Sequence, residues 1–112
     1  MARTQTTVNK IIATGTGLTP VAQAAVDVAN GNYCRNNGKT WLEVTNTNGA
    51  AQSRVLTVHF NRKVAGQTVT PKTYTLAAGA SRRIGPFDPA NYGGLLNFNG
   101  DHAELTVAAY TV

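Results

Sequence analysis

Five carboxylates, two histidines and a single cysteine are the groups with which this chain of 112 residues could do chemistry. The acids are Asp27, Glu43, Asp88, Asp101 and Glu104, and the densest polar cluster is Asp101-His102 with Glu104 close behind. A metal centre needs several such ligands at workable spacing, and the other histidine, His59, lies far away in sequence. Asp101 fits better as a partner of the adjoining Asn99-Gly100 turn. A Ser-His-acid set can be drawn from Ser53 or Ser81, His59 or His102 and any acid, but no sharp Gly-flanked turn presents either serine as a nucleophile. Gly15-Thr16-Gly17 lacks the further glycine and lysine of a phosphate loop. The chain therefore reads as non-enzymatic, with no catalytic, cofactor or metal site expected.

Cys34 is the lone cysteine, so no disulfide can form within the chain. Its setting, Tyr33-Cys34-Arg35, suits a buried structural thiol; Arg35 could lower its pKa, yet no paired histidine is evident. Trp41 alternates with Leu42 beside a turn, which makes it either the plug of a core or subunit interface or an exposed anchor for a sugar or base.

The elements that position these groups are strands. Leu42 and Val44 alternate with Trp41, Glu43 and Thr45. Leu56, Val58 and Phe60 alternate with Val55, Thr57 and His59, and the C-terminal stretch Leu105–Tyr110 alternates in the same way. A period of two buries one face of a strand and exposes the other. Strands are expected over 32–35, 40–46, 53–61, 68–70, 72–76, 81–84, 95–98 and 102–111, parted by turns such as Asn36-Asn37-Gly38-Lys39 and Ala77-Ala78-Gly79-Ala80. Asp88-Pro89-Ala90-Asn91-Tyr92 suits one helical turn with Asp88 as its cap. Residues 19–31 fit either a short helix capped by Thr19 and closed by Gly31, or an extended run into an Asn30-Gly31 turn. The fold class is all-β, an antiparallel sandwich or jelly-roll-like barrel of seven to eight short strands. Its core draws on Tyr33, Leu42, Val44, Leu56, Val58, Phe60, Tyr74, Leu76, Ile84, Phe87, Leu95, Phe98, Leu105, Val107 and Ala109. Residues 1–19, rich in Thr and Gly, read as an extended N-terminal arm to a domain spanning 20–112, with Ile11 and Ile12 as its anchoring pair.

Charged residues are only 13% of the chain and the net charge is +5. The cations are scattered, with Arg62-Lys63 and Arg82-Arg83 the only doublets, so nucleic acid is a disfavoured partner. No apolar run is long enough to cross a bilayer, and the N-terminal residues lack the apolar stretch of a secretory signal, which points to synthesis in a cytoplasm.

Three stretches resemble small structural proteins of tailed phages that infect actinobacteria and their relatives. They are Asn36-Asn37-Gly38-Lys39-Thr40-Trp41-Leu42-Glu43-Val44-Thr45-Asn46, then Leu76-Ala77-Ala78-Gly79-Ala80 with Ile84-Gly85-Pro86-Phe87, and last Leu105-Thr106-Val107-Ala108-Ala109-Tyr110. The likeness runs in order over residues 18–112. Such proteins are regarded as capsid decoration (cement) or minor head proteins. The resemblance implies a protein made in the host cytoplasm and carried on the outer capsid surface of the virion, with the major capsid protein as partner and a homotrimer or other homo-oligomer as assembly. Ile11, Ile12, Arg82 and Arg83 are the candidate contacts to capsid or subunit. A carbohydrate- or cell-surface-binding β-module and a tail or connector subunit are the alternatives.

Overall fold

A computed structural model describes residues 3–11, 21–60, 63–68 and 70–111. Two sheets face each other across one apolar core. The first has the order β1-β4-β11-β6-β9, from Thr4–Gln5 (β1), Asn32–Arg35 (β4), Leu95–Gly100 (β11), Arg54–Val58 (β6) and Lys72–Leu76 (β9). The second has the order β10-β5-β12-β2, from Ser81–Ile84 (β10), Thr40–Asn46 (β5), Leu105–Thr111 (β12) and Val8–Lys10 (β2), and Ala24–Ala25 (β3) also pairs with β12. Lys63–Val64 (β7) and Gln67–Thr68 (β8) form a separate hairpin. The expected all-β sandwich is present. Its strands outnumber the expectation because the N-terminal segment and the β7–β8 hairpin add short ones, and β1/β4 and β2/β12 are parallel pairings in otherwise antiparallel sheets.

Alternation explains the core. Every second residue of β5 is buried: Thr40, Leu42, Val44 and Asn46. Leu56, Val58, Leu76, Leu96, Phe98, Leu105, Val107 and Ala109 meet them from the other strands, with Phe87 and Val26 closing the ends. Each leucine, valine or phenylalanine among them stabilises the fold by about 1.5–3 kcal/mol when withdrawn from water. Cys34 belongs to this core, and burial pushes its thiol up to about 12.

Four expected core residues lie elsewhere. Leu95 is exposed and Leu96 is buried, because β11 turns Leu96 and Phe98 inward. Tyr33 cannot point inward when its neighbour Cys34 does, and it is half-buried on the outer face. Phe60 and Tyr74 are half-buried at the rim; Phe60 stacks on Tyr92 with ring centroids 4.7 Å apart. Tyr110, missed as a core member, is buried on the outer face of its sheet.

Local chemistry fixes the connections. In the β4–β5 turn, Asn36 Oδ1 accepts the Gly38 N–H at 3.1 Å and Asn37 Oδ1 accepts that of Lys39 at 2.9 Å. The expected helical turn is α1, Pro89–Tyr92, and Asp88 accepts the Ala90 N–H at 2.9 Å. Gly85 has φ 129°, and a Cβ there would lie 3.0 Å from Thr40 O and the Trp41 backbone. A side chain is thus excluded where the chain leaves β10 and swings Phe87 into the core. Residues 21–31 form no helix: β3 pairs with β12, and a turn closes with the Gly31 N–H on Asp27 O at 2.8 Å. Thr19 lies outside the described residues.

Strand direction gives the sandwich two distinct ends. The helix end carries the Asn36–Lys39 turn, the β7–β8 hairpin and α1. The loop end carries residues 47–53, the Ala77–Ala80 turn and the turn over 101–104. Residues 3–11 run from the first sheet to the second: Thr4–Gln5 pairs with β4, and Val8–Lys10 pairs with β12.

Candidate contact surface

The groups that suggested chemistry are used structurally at the loop end. Asp101 Oδ1 accepts the Val55 N–H at 3.0 Å. Glu104 Oε1 accepts Asn48 Nδ2 at 2.8 Å and Arg54 Nε and Nη2 at 3.1 and 2.8 Å. His102 Nδ1 accepts the Glu104 N–H at 3.0 Å and lies 3.3 Å from Glu104 Oε1. His59 lies on the outer face of the first sheet, Nε2 2.8 Å from Asn99 Oδ1, which also accepts Arg3 Nη1 at 2.8 Å. Ser81 Oγ is 2.7 Å from Thr45 Oγ1. Among the described residues no three metal-ligating side chains come together. A recess of about 260 Å³ between β1–β2 and residues 21–25 is walled by threonines, alanines and amides, with no titratable side chain.

Two carboxylates at this end are held below the usual range. Asp27 is lowered first by the Thr4 hydroxyl, 2.6 Å from Oδ2, then by the Asn30 N–H. Glu104 is lowered first by Asn48 and then by Arg54. A depressed folded-state pKa adds stability that is full above the unfolded carboxylate value and is lost as pH falls through the folded one. Urea midpoints should therefore be flat near neutrality and fall below about pH 4.5, the ordinary value for glutamate. The fall should be shallower in Glu104→Gln, whose amide no longer titrates.

The outer face of the second sheet brings together residues from four remote parts of the chain. Trp41 on β5 and Tyr110 on β12 are register partners, and their rings stack at 4.6 Å with 20° between planes. The Arg83 guanidinium lies 5.7 Å from the Trp41 ring centroid, and its Nε donates to Glu43 Oε2 at 2.9 Å. Gln23 donates to Glu43 Oε1 at 3.0 Å and accepts from Thr106 Oγ1 at 2.9 Å. The Val21 N–H donates to the Tyr110 hydroxyl at 3.0 Å, so residues 21–25 strap one side of this face. Trp41 is therefore neither a core plug nor a bare anchor. It is half-buried on the outside, with an aromatic ring and a cation as neighbours.

The candidate contact residues divide. Arg83 belongs to this face and Ile11 borders it, its N–H donating to Thr111 O at 2.7 Å. Arg82 is exposed on the free edge, opposite buried Val44 and so on the core side of β10. A shallow recess of about 350 Å³ is lined by Glu43, Ser81, Arg82 and Arg83. Ile12 lies outside the described residues. Sequence reasoning missed Tyr110 and the Gln23–Glu43–Thr106 chain, since no local pattern couples side chains that far apart. Compared with known proteins, the chain matches no family model, no curated protein and no solved structure.

Proposed function

We propose that this chain is a non-enzymatic virion structural protein that binds the outer surface of an assembled phage capsid and stabilises it, with the major capsid protein as its partner and a homo-oligomer, a trimer in the first instance, as its assembly. One observation carries the reading. The stretches with the phage-protein resemblance are remote in sequence, yet they contribute β5, the turn and corner flanking β10, and β12, which are three adjacent strands of one sheet. The shared features thus describe one continuous layer. The five carboxylates are tied into turns, a helix cap and ion pairs, which suits a surface that docks.

The mechanism is mass action. A protein that binds the assembled shell and not its dissociated subunits stabilises the shell by RT ln(1 + [L]/Kd), about 2.7 kcal/mol per site at a hundredfold excess over Kd. Oligomeric presentation adds avidity where several copies reach the lattice together. The test uses heads from the parent phage with this gene deleted. Purified protein should co-sediment with them to a fixed stoichiometry and raise the temperature at which they release DNA. Heads that take up no protein overturn the reading.

A further inference from the structure

The folded chain sorts its charges by end, although the sequence scatters them. Asp27, Asp101 and Glu104 lie at the loop end, where Arg54 pairs with Glu104. Glu43 sits in mid-strand and pairs with Arg83. The helix end carries Lys10, Arg35, Lys39 and Lys72, all exposed, against one acid, Asp88, which is engaged in capping α1. Among the described residues none of these four cations has an ion-pair partner.

Arg35 lines a recess, and Lys10 and Lys39 adjoin residues of its lining, Lys10 as the register partner of Thr111 and Lys39 as the neighbour of Thr40. Thr40 lies opposite Thr111, and Thr111 opposite Lys10, so Lys10 and Thr40 are two strands, about 10 Å, apart. Lys39 precedes Thr40, and Thr40 Oγ1 donates to Arg35 O at 3.2 Å. The recess has a volume of about 420 Å³, and its lining includes Arg35, Asn36, Asn37, Thr40 and Gly94. Val8 also lines it, and Lys10 lies on the same side of β2 as Val8. An anion seated there meets Arg35 directly, with Lys10 and Lys39 beside the lining adding to the local positive potential.

We infer that this recess at the helix end is the docking point for carboxylate side chains of a protein partner, which under the proposed function is the capsid surface. The identity of the partner rests on that reading; the chemistry of the recess does not. Nucleic acid is the lesser fit. No aromatic side chain lines the recess to stack on a base. The assignment moves the principal contact from Arg82 and Arg83 to residues on another part of the sandwich.

The experiment compares wild type, the triple variant K10E/R35E/K39E and the pair R82E/R83E, each with an unchanged urea midpoint as its folding control. The single variant K39E serves if the triple does not fold. Binding is measured to undecorated heads, to poly-L-glutamate and to short duplex DNA. The expected result is that heads and poly-L-glutamate bind wild type and R82E/R83E alike. The triple variant should lose at least about tenfold in affinity for both. Head binding that survives in the triple variant overturns the inference while leaving the proposed function standing. Heads that bind no wild-type protein overturn the proposed function. In that case poly-L-glutamate binding lost in the triple variant still supports the recess, and its absence overturns it. Tighter binding to DNA than to poly-L-glutamate overturns the inference in favour of a nucleic-acid surface.

Discussion

Substituting Phe98 by alanine should lower the unfolding free energy by about 3–5 kcal/mol, a large part of the roughly 5–15 kcal/mol available to a domain of this size. Phe98 is fully buried and lies at the middle of the first sheet, with Asn32 opposite on one side and Val58 on the other. Its ring projects into the layer between the sheets. Removal costs the transfer free energy of the ring and leaves a cavity that the surrounding strands, fixed by their ladders, can close only in part. Urea unfolding followed by Trp41 fluorescence measures the loss. Thr75→Ala, an exposed change on β9, is the control and should stay within about 0.5 kcal/mol of wild type.

The second large effect is expected from a change of one atom. Asn46 is fully buried, and its side chain joins the loop end from inside. Nδ2 donates to Gln52 O at 2.8 Å and to Leu76 O at 3.0 Å, and Oδ1 accepts the Asn48 N–H at 3.0 Å. Its backbone bonds to Ala80 and Gly79 in the β9–β10 turn. Asn46→Asp keeps the shape but sets a carboxylate oxygen against two carbonyls that have lost their donor. With about 1–3 kcal/mol for each buried group left unsatisfied, the expected loss near neutral pH is about 2–6 kcal/mol. Desolvation and the facing carbonyls raise the aspartate pKa, and the protonated form can donate to one carbonyl. The deficit relative to wild type should therefore shrink as pH falls toward 5, opposite in sign to the acid loss carried by Asp27 and Glu104. Paired urea titrations at pH 5 and 7.5 measure both arms. A deficit that does not change with pH would show that the loss comes from packing and not from the missing donor.

Much of this fold can be read in the chain because its strands are amphipathic and its turns chemically marked. β4, β5, β9 and β10 fall where alternation and the Asn-Gly and Ala-Gly turns place them, and Asp88-Pro89 marks α1. The errors share a cause. Leu95-Leu96 is an apolar pair, and alternation cannot choose between its members without knowing which faces the other sheet. β1 and β2 carry almost no apolar alternation and are held by parallel pairing to strands far along the chain, which no local signal reports. Tyr110 is buried on the outer side because residues 21–25 cover it, again a long-range fact. The charge segregation was invisible for a related reason. Which cations share an end depends on whether each strand runs up or down, and only the topology settles that.

Arg82 gives the fold a property that none of its contacts describes. At the free margin of the second sheet, a valine or isoleucine in its place would match the Val44 opposite and present a flat, greasy border to any neighbouring copy. A guanidinium there makes further strand addition costly, so the sheet stops growing at β10. An uncharged border of that kind would be a template for pairing with the same border of a second copy, and a single inward-facing charge opposes it.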